Sequence, residues 1–185
     1  MRRKLIGQLI FPALVVVFLV AGLAAGGCGS NPPFAPFGST IEILNPPGDI
    51  VVGAGLEQML IQAIVLGPDE EPLNDVRVIW DLSFASQNSF VIDTNGDGIP
   101  DARALQLVNN GACSPQQCAS TPITEWFSMG ALVDSPFDVL TDNRGIAFVL
   151  LLIGDAIVDP ATLQASTDSG AIDIVTFSVN ADLAP

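Results

Sequence analysis

Nine residues near the middle of the chain, Asp93-Thr94-Asn95-Gly96-Asp97-Gly98-Ile99-Pro100-Asp101, hold its densest set of hard oxygen donors. Side-chain oxygens fall at alternate positions, on Asp93, Asn95 and Asp97, and Gly98 then allows the sharp turn that wraps a loop around an ion. The backbone carbonyl of Ile99 and the carboxylate of Asp101, direct or through water, would extend the shell. Three carboxylates this close repel one another, and a divalent cation neutralises them. Oxygen-only donors select calcium over transition metals, at the weak extracellular affinity of about 0.1–1 mM. The same residues read without an ion are a solvated Asn-Gly and Asp-Gly turn between strands. The spacing by itself is compatible with both.

The segment resembles the first half of an EF-hand calcium loop. It departs from that pattern where a bidentate Glu would close the site, because Ala104 stands there. It is closer to the short D-x-N-x-D-G-x-x-D loops of secreted calcium-stabilised repeats, which it also resembles.

Catalytic chemistry has little to work with. The chain has no His, the usual base for a Ser or Cys nucleophile, and Lys4 is its one lysine. A pair of carboxylates suffices for a glycosidase, but nothing among 20 acidic residues selects a pair. No enzyme is expected. Trp80 falls on the inward side of its expected strand and belongs to a core. Trp126, beside Glu125 and Phe127 in a loop, stays open as a sugar-stacking platform.

The N-terminus supplies an address. Arg2, Arg3 and Lys4 precede an apolar run from Leu5 to Ala25, and Ala24-Ala25-Gly26-Gly27 lead to Cys28. A basic head, an apolar stretch and a small-residue exit make a secretory signal. The cysteine directly after it resembles a bacterial lipoprotein signal, although Ala25 stands where that family usually has Leu. The resemblance implies cleavage before Cys28, leaving residues 1–27 as signal peptide, and acylation of the Cys28 thiol, palmitate being the kind of chain expected. Gly29 and Ser30, with no Asp after the cysteine, imply the outer membrane by the same likeness. The alternative is an uncleaved anchor, since Leu5 to Ala25 is long enough to span a bilayer; Gly7, Gln8 and Pro12 argue against that.

Beyond the signal, Arg77, Arg103 and Arg144 are the only cations against all 20 acidic groups. Nucleic-acid binding depends on phosphate neutralisation by Lys and Arg and is excluded. An anionic membrane surface would be repelled, so the lipid must do the anchoring. The simplest role for the acids is to keep an apolar domain soluble. With Cys28 acylated, Cys113 and Cys118 are left as an even pair in an oxidising compartment, and a short disulfide-closed loop is expected. A metal dithiol lacks partner ligands here.

Gly29 to Gly38, GSNPPFAPFG, reads as a proline-rich tether covering residues 28–38. From Ser39 to Pro185 short apolar runs broken by Gly, Pro, Asn and Asp predict an all-β domain. Ile41 and Ile43 begin it. Leu56 to Leu66 fits a strand and nearly as well a helix; the turn Gly67 to Pro72 favours a hairpin into Val76–Ser83, whose Val76, Val78, Trp80 and Leu82 share one face. Ile146 to Ile153 is apolar on both faces, as a buried central strand is. Thr162–Thr167 and Ile172–Val179 flank the hairpin turn Asp168-Ser169-Gly170, with Asp173 expected to reach water.

Glu71-Pro72-Leu73-Asn74-Asp75-Val76-Arg77-Val78 with Trp80, then Thr141-Asp142-Asn143-Arg144-Gly145-Ile146-Ala147, then the pair Leu163 to Val179, together resemble bacterial immunoglobulin-like domains of the invasin and intimin type. The resemblance implies an immunoglobulin-like antiparallel β-sandwich used in rods, adhesins and surface proteins, usually without catalysis. It is interrupted by an insert from Phe84 to Leu140, where strand pairing is left open. The expected function is a lipid-anchored, calcium-stabilised envelope module, non-catalytic, meeting an unknown envelope protein or glycan. A surface adhesin working through the insert is the first alternative and a carboxylate glycosidase the second.

Overall fold

In a computed structural model of the protein, residues 34–52, 57–85, 90–92, 98, 102–108, 120, 132–154 and 157–181 are described. By contacts the chain divides into Met1–Pro32 and Pro33–Pro185, and every described residue lies in the second part.

Twelve strands are described. They are β1 (Thr40–Ile43), β2 (Ile50–Val52), β3 (Glu57–Leu66), β4 (Arg77–Phe84), β5 (Phe90–Ile92), β6 (Ala102–Arg103), β7 (Leu105–Val108), β8 (Leu132–Val133), β9 (Phe137–Leu140), β10 (Ile146–Ile153), β11 (Val158–Thr167) and β12 (Ile172–Ala181). One five-stranded sheet runs β1-β3-β10-β7-β8 and a second runs β2-β12-β11-β4-β9, while β5 and β6 form a separate ribbon. The first four strands of one sheet and β12-β11-β4 of the other reproduce the ABED and GFC order of an immunoglobulin-like sandwich.

The alternation within strands explains the layers. On β4 Val78, Trp80 and Leu82 are buried while Arg77, Ile79 and Asp81 are half-exposed and Ser83 is exposed. On β3 Ile61, Ala63 and Val65 face inward, and on β11 Ala161, Leu163 and Ala165 do. These residues, with Val149, Leu151 and Phe177, form one cluster between the sheets. Period-two alternation puts every second side chain there. Of the run Leu56 to Leu66, Glu57–Leu66 resolves as strand because β1 and β10 flank it on both sides, which only an extended backbone permits. The expected hairpin into Val76–Ser83 does not form, because β3 and β4 belong to different sheets. On β10, Leu150 and Leu152 are buried although they lie on the face opposite Val149 and Leu151, and so does Val108 beside them on β7. Burial on both faces accounts for the unbroken apolar run of β10.

The insert is built into the sandwich. Strands β7 and β8 extend the first sheet and β9 edges the second, pairing Phe137 with Trp80 and Leu140 with Arg77. Strand β11 starts earlier than its sequence pattern suggests, at Val158. Pro160 sits where the register with β12 shifts, before pairing with β4 begins at Ala161, a place where a missing N–H costs no ladder bond.

Between β1 and β2 the chain crosses from one sheet to the other. Asn45 accepts from the Gln62 N–H at 2.7 Å and donates to the Leu60 carbonyl, satisfying backbone groups of β3 that β1 has left. Pro46 and Pro47 cannot continue the ladder. Strand β2 then joins the far edge parallel to β12.

The domain also starts before Ser39. Ala35 is buried in the core cluster, and Ser39 donates N–H (3.1 Å) and Oγ–H (2.7 Å) to the Pro36 carbonyl, closing a turn.

Candidate functional site

The acidic loop is the connection of a β-hairpin. Ile92 on β5 pairs with Ala102 on β6, so the nine-residue stretch 93–101 is closed at its base. Gly98 within it has φ 85°, the left-handed region the sharp turn demands, and a Cβ there would meet nothing within 4 Å. The other candidate ligands, Asp93, Asn95, Asp97, Ile99 and Asp101, lie outside the described residues, as do Cys28, Cys113, Cys118 and Trp126. A calcium loop and a plain hairpin turn both require this closed base. Among the described residues no group of three or more His, Cys, Asp or Glu is placed to hold a metal ion.

Strand β4 runs away from the 67–76 turn, β7 begins at Leu105 opposite Ile153, and the Gly154 N–H donates to the Ala104 carbonyl at 2.8 Å. The excursion carrying the β5–β6 ribbon therefore leaves and rejoins the sandwich at one end. Strand β1 begins at the other, with Thr40 opposite Leu66.

That second end is built by the two segments that carry the family resemblance. Thr141, 3% exposed, donates its hydroxyl to the Leu73 carbonyl (2.6 Å) and accepts the Val76 N–H (2.9 Å). Its backbone completes the clasp, with Asp75 N–H donating to the Thr141 carbonyl (3.0 Å) and Thr141 N–H to the Val76 carbonyl (2.9 Å). Asp142 folds the next turn by accepting the N–H groups of Arg144 (2.9 Å) and Ile146 (3.0 Å) on one carboxylate oxygen. Burial pushes the Asp142 carboxyl up, but those two N–H groups and the Arg144 side chain outweigh it and hold the group below the ordinary carboxylate range. Gly145 donates back to the Asp142 carbonyl (2.9 Å) and accepts from Val65 N–H (2.9 Å). This end is a structural joint in which Thr141 and Asp142 tie the two loops together.

All three cations of the domain are also paired. Arg77 Nε lies 3.3 Å from Asp138 and its Nη1 3.8 Å from Asp168, Arg103 lies 2.8 Å from Asp134, and Arg144 lies 3.0 Å from Asp142. The Asp138 hydrogen bond and charge, with Asp168 behind them, raise the Arg77 guanidinium further above its ordinary value. The few arginines are thus each placed beside an aspartate.

Two expectations are refined here. Trp80 is fully buried, a core residue and no sugar platform. Asp173, expected to reach water, is half-exposed and also accepts the Ile43 N–H at 2.7 Å, tying β1 to β12 across the sandwich. Periodicity could not reveal that bond, because it joins residues 130 positions apart. The Arg103–Asp134 pair likewise had no local signal.

No family model matches the chain, and no curated protein does. Among solved structures it is similar to the ASH/PapD-like domain of human CEP192 (PapD-like domain 7), at 14% identity, covering 84% of this chain and 94% of that one, with a TM-score of 0.36. It is also similar to a lipoprotein from Bacteroides thetaiotaomicron, at 14% identity, covering 84% of this chain and 89% of that one, with a TM-score of 0.38. At that distance no role transfers from either, and the assignment to the immunoglobulin-like sandwich rests on strand order and register.

Proposed function

We propose that this chain is a lipid-anchored envelope protein whose immunoglobulin-like sandwich is a non-catalytic structural or binding module. The observation that supports this best is the polarity of the fold. The chain enters the sandwich at the end where Thr141 and Asp142 lock the loops together, and the β5–β6 ribbon departs from the opposite end. A tether from Cys28 would hold the locked end toward the membrane and turn the ribbon outward. Gly29 and Ser30 after the cysteine favour the outer membrane.

Within this reading, calcium held by Asp93, Asn95, Asp97, Ile99 and Asp101 stiffens the outward hairpin, and Cys113 and Cys118 close a second short loop of the insert. The invasin- and intimin-like reading draws support from the way its two loop motifs interlock at one end. An adhesin using the insert to hold a glycan or a protein is the second reading, favoured by the outward placement of the ribbon.

The decisive measurement is intact mass on protein extracted from the membrane fraction. A diacyl or triacyl modification at Cys28, lost together with detergent partition in Cys28→Ala, is the expected result. Recovery of the wild type as a soluble, unacylated periplasmic protein would end the proposal.

A further inference from the structure

Phe37 is 96% exposed and Phe34 69% exposed, on either side of Ala35, which is 5% exposed and belongs to the core. The backbone that presents Phe37 is held, because the Pro36–Ser39 turn is closed twice on the Pro36 carbonyl, and Gly38 lies beside Pro68. An aromatic ring displayed on a fixed turn pays little ordering entropy when it is covered. Other large apolar side chains are exposed elsewhere, Ile157 and Val51 among them, but these two rings are three residues apart in sequence and offer apolar surface that an apolar medium would cover.

We infer that Phe34 and Phe37 form a wedge that seats in the interfacial zone of a zwitterionic bilayer and holds the domain against it. This rests on the anchoring reading above. Phe34 follows Cys28 by six residues, at most about 20 Å of extended chain, so an acyl group at Cys28 keeps both rings within reach of the headgroups. Tethering makes the contact intramolecular, at effective concentrations of order mM, where a pair of rings too weak to bind alone suffices. The lipid class follows from the charges beside the wedge. Asp69, Glu70 and Glu71 are exposed directly after Pro68, and the domain's arginines are already paired with aspartates. Anionic headgroups would repel this end and neutral zwitterionic ones would not.

The test uses the acylated full-length protein carrying Phe37→Trp, reconstituted in phosphatidylcholine vesicles with and without brominated acyl chains, with the wild type subtracted as background. The expected result is blue-shifted emission from the added indole that loses most of its intensity to the brominated lipid. Both effects should weaken as phosphatidylglycerol replaces phosphatidylcholine. Red, unquenched emission from protein whose mass shows acylation at Cys28 would overturn the wedge and leave the anchor standing. A blue shift without bromine quenching that grows with protein density would assign the rings to a second copy of the chain, which also overturns it. Absence of acylation would remove the anchor and the wedge together.

Discussion

At Gly145 the backbone has φ 74°, and a Cβ would stand 2.8 Å from the Val65 carbonyl oxygen and 3.0 Å from Pro72 Cβ. Gly170 turns with φ 90° in the β11–β12 hairpin, whereas Gly145 links two sheets, and Gly170 has nothing within 4 Å. Alanine at Gly170 therefore pays only the left-handed backbone, about 1 kcal/mol. Alanine at Gly145 pays that and must push two backbone segments apart, about 2–4 kcal/mol in all. Urea denaturation of the two variants checks the difference, and equal losses would show that the close approach is relieved elsewhere. Asp142 supplies a pH signature. Its folded carboxyl titrates below the unfolded value of about 3.9, so its stabilisation is complete above about pH 5 and is lost as the pH falls through the folded value. Asp142→Asn keeps an acceptor for Ile146 but drops the charge, and the site is partly exposed. The expected cost at pH 7 is under about 1 kcal/mol. The gap between variant and wild type should close as denaturation is repeated toward pH 3, and a gap independent of pH would show that the charge contributes nothing.

Among the elements, β1 is weakly held, because it is short, lies at a sheet edge and leaves for the other sheet after Ile43. Its ladder to β3 covers Thr40 to Ile43, and Asp173 from β12 supplies an acceptor that the ladder cannot. Asp173→Ala should cost about 1–2 kcal/mol, the loss of a charge-assisted bond that leaves an N–H unmet. Hydrogen exchange locates the effect. The Ile43 amide should exchange at least tenfold faster, while Val149 in the middle of β10 should change only as far as global stability falls. Equal acceleration at both would mean that β1 does not open on its own.

At the scale of the molecule, the sandwich strands are paired independently of residues 93–101. Calcium, if bound there, should add to a folded domain and not create it. Circular dichroism of chelator-treated protein should keep its sheet signal. At tenfold excess over the dissociation constant, binding adds about 1.4 kcal/mol and raises the Tm by about 3–5 °C. Asp97→Ala should abolish the rise while leaving the turn glycines in place. Titration calorimetry with no calcium heat up to about 10 mM, well above the weak extracellular range, would leave a solvated turn.

Local pattern was enough for the class of fold and for its strongest strands. Alternation on Val76–Ser83, the two-sided apolar run Ile146–Ile153 and the Asp-Ser-Gly turn are set by side-chain period and turn chemistry, which act over a few residues and survive in any topology. The turn at Gly98 in the acidic loop was legible for the same reason, since a left-handed φ there is a property of one residue. What the tertiary structure decided is long-range. It turned the insert into strands of both sheets, sent β2 parallel to β12, covered Leu150 and Leu152 on the face away from the core, and brought Thr141 to Leu73 and Asp173 to Ile43. Those choices depend on which edges and polar groups remain unmet after the strong strands have paired, a condition of the whole sandwich that no stretch of sequence expresses alone.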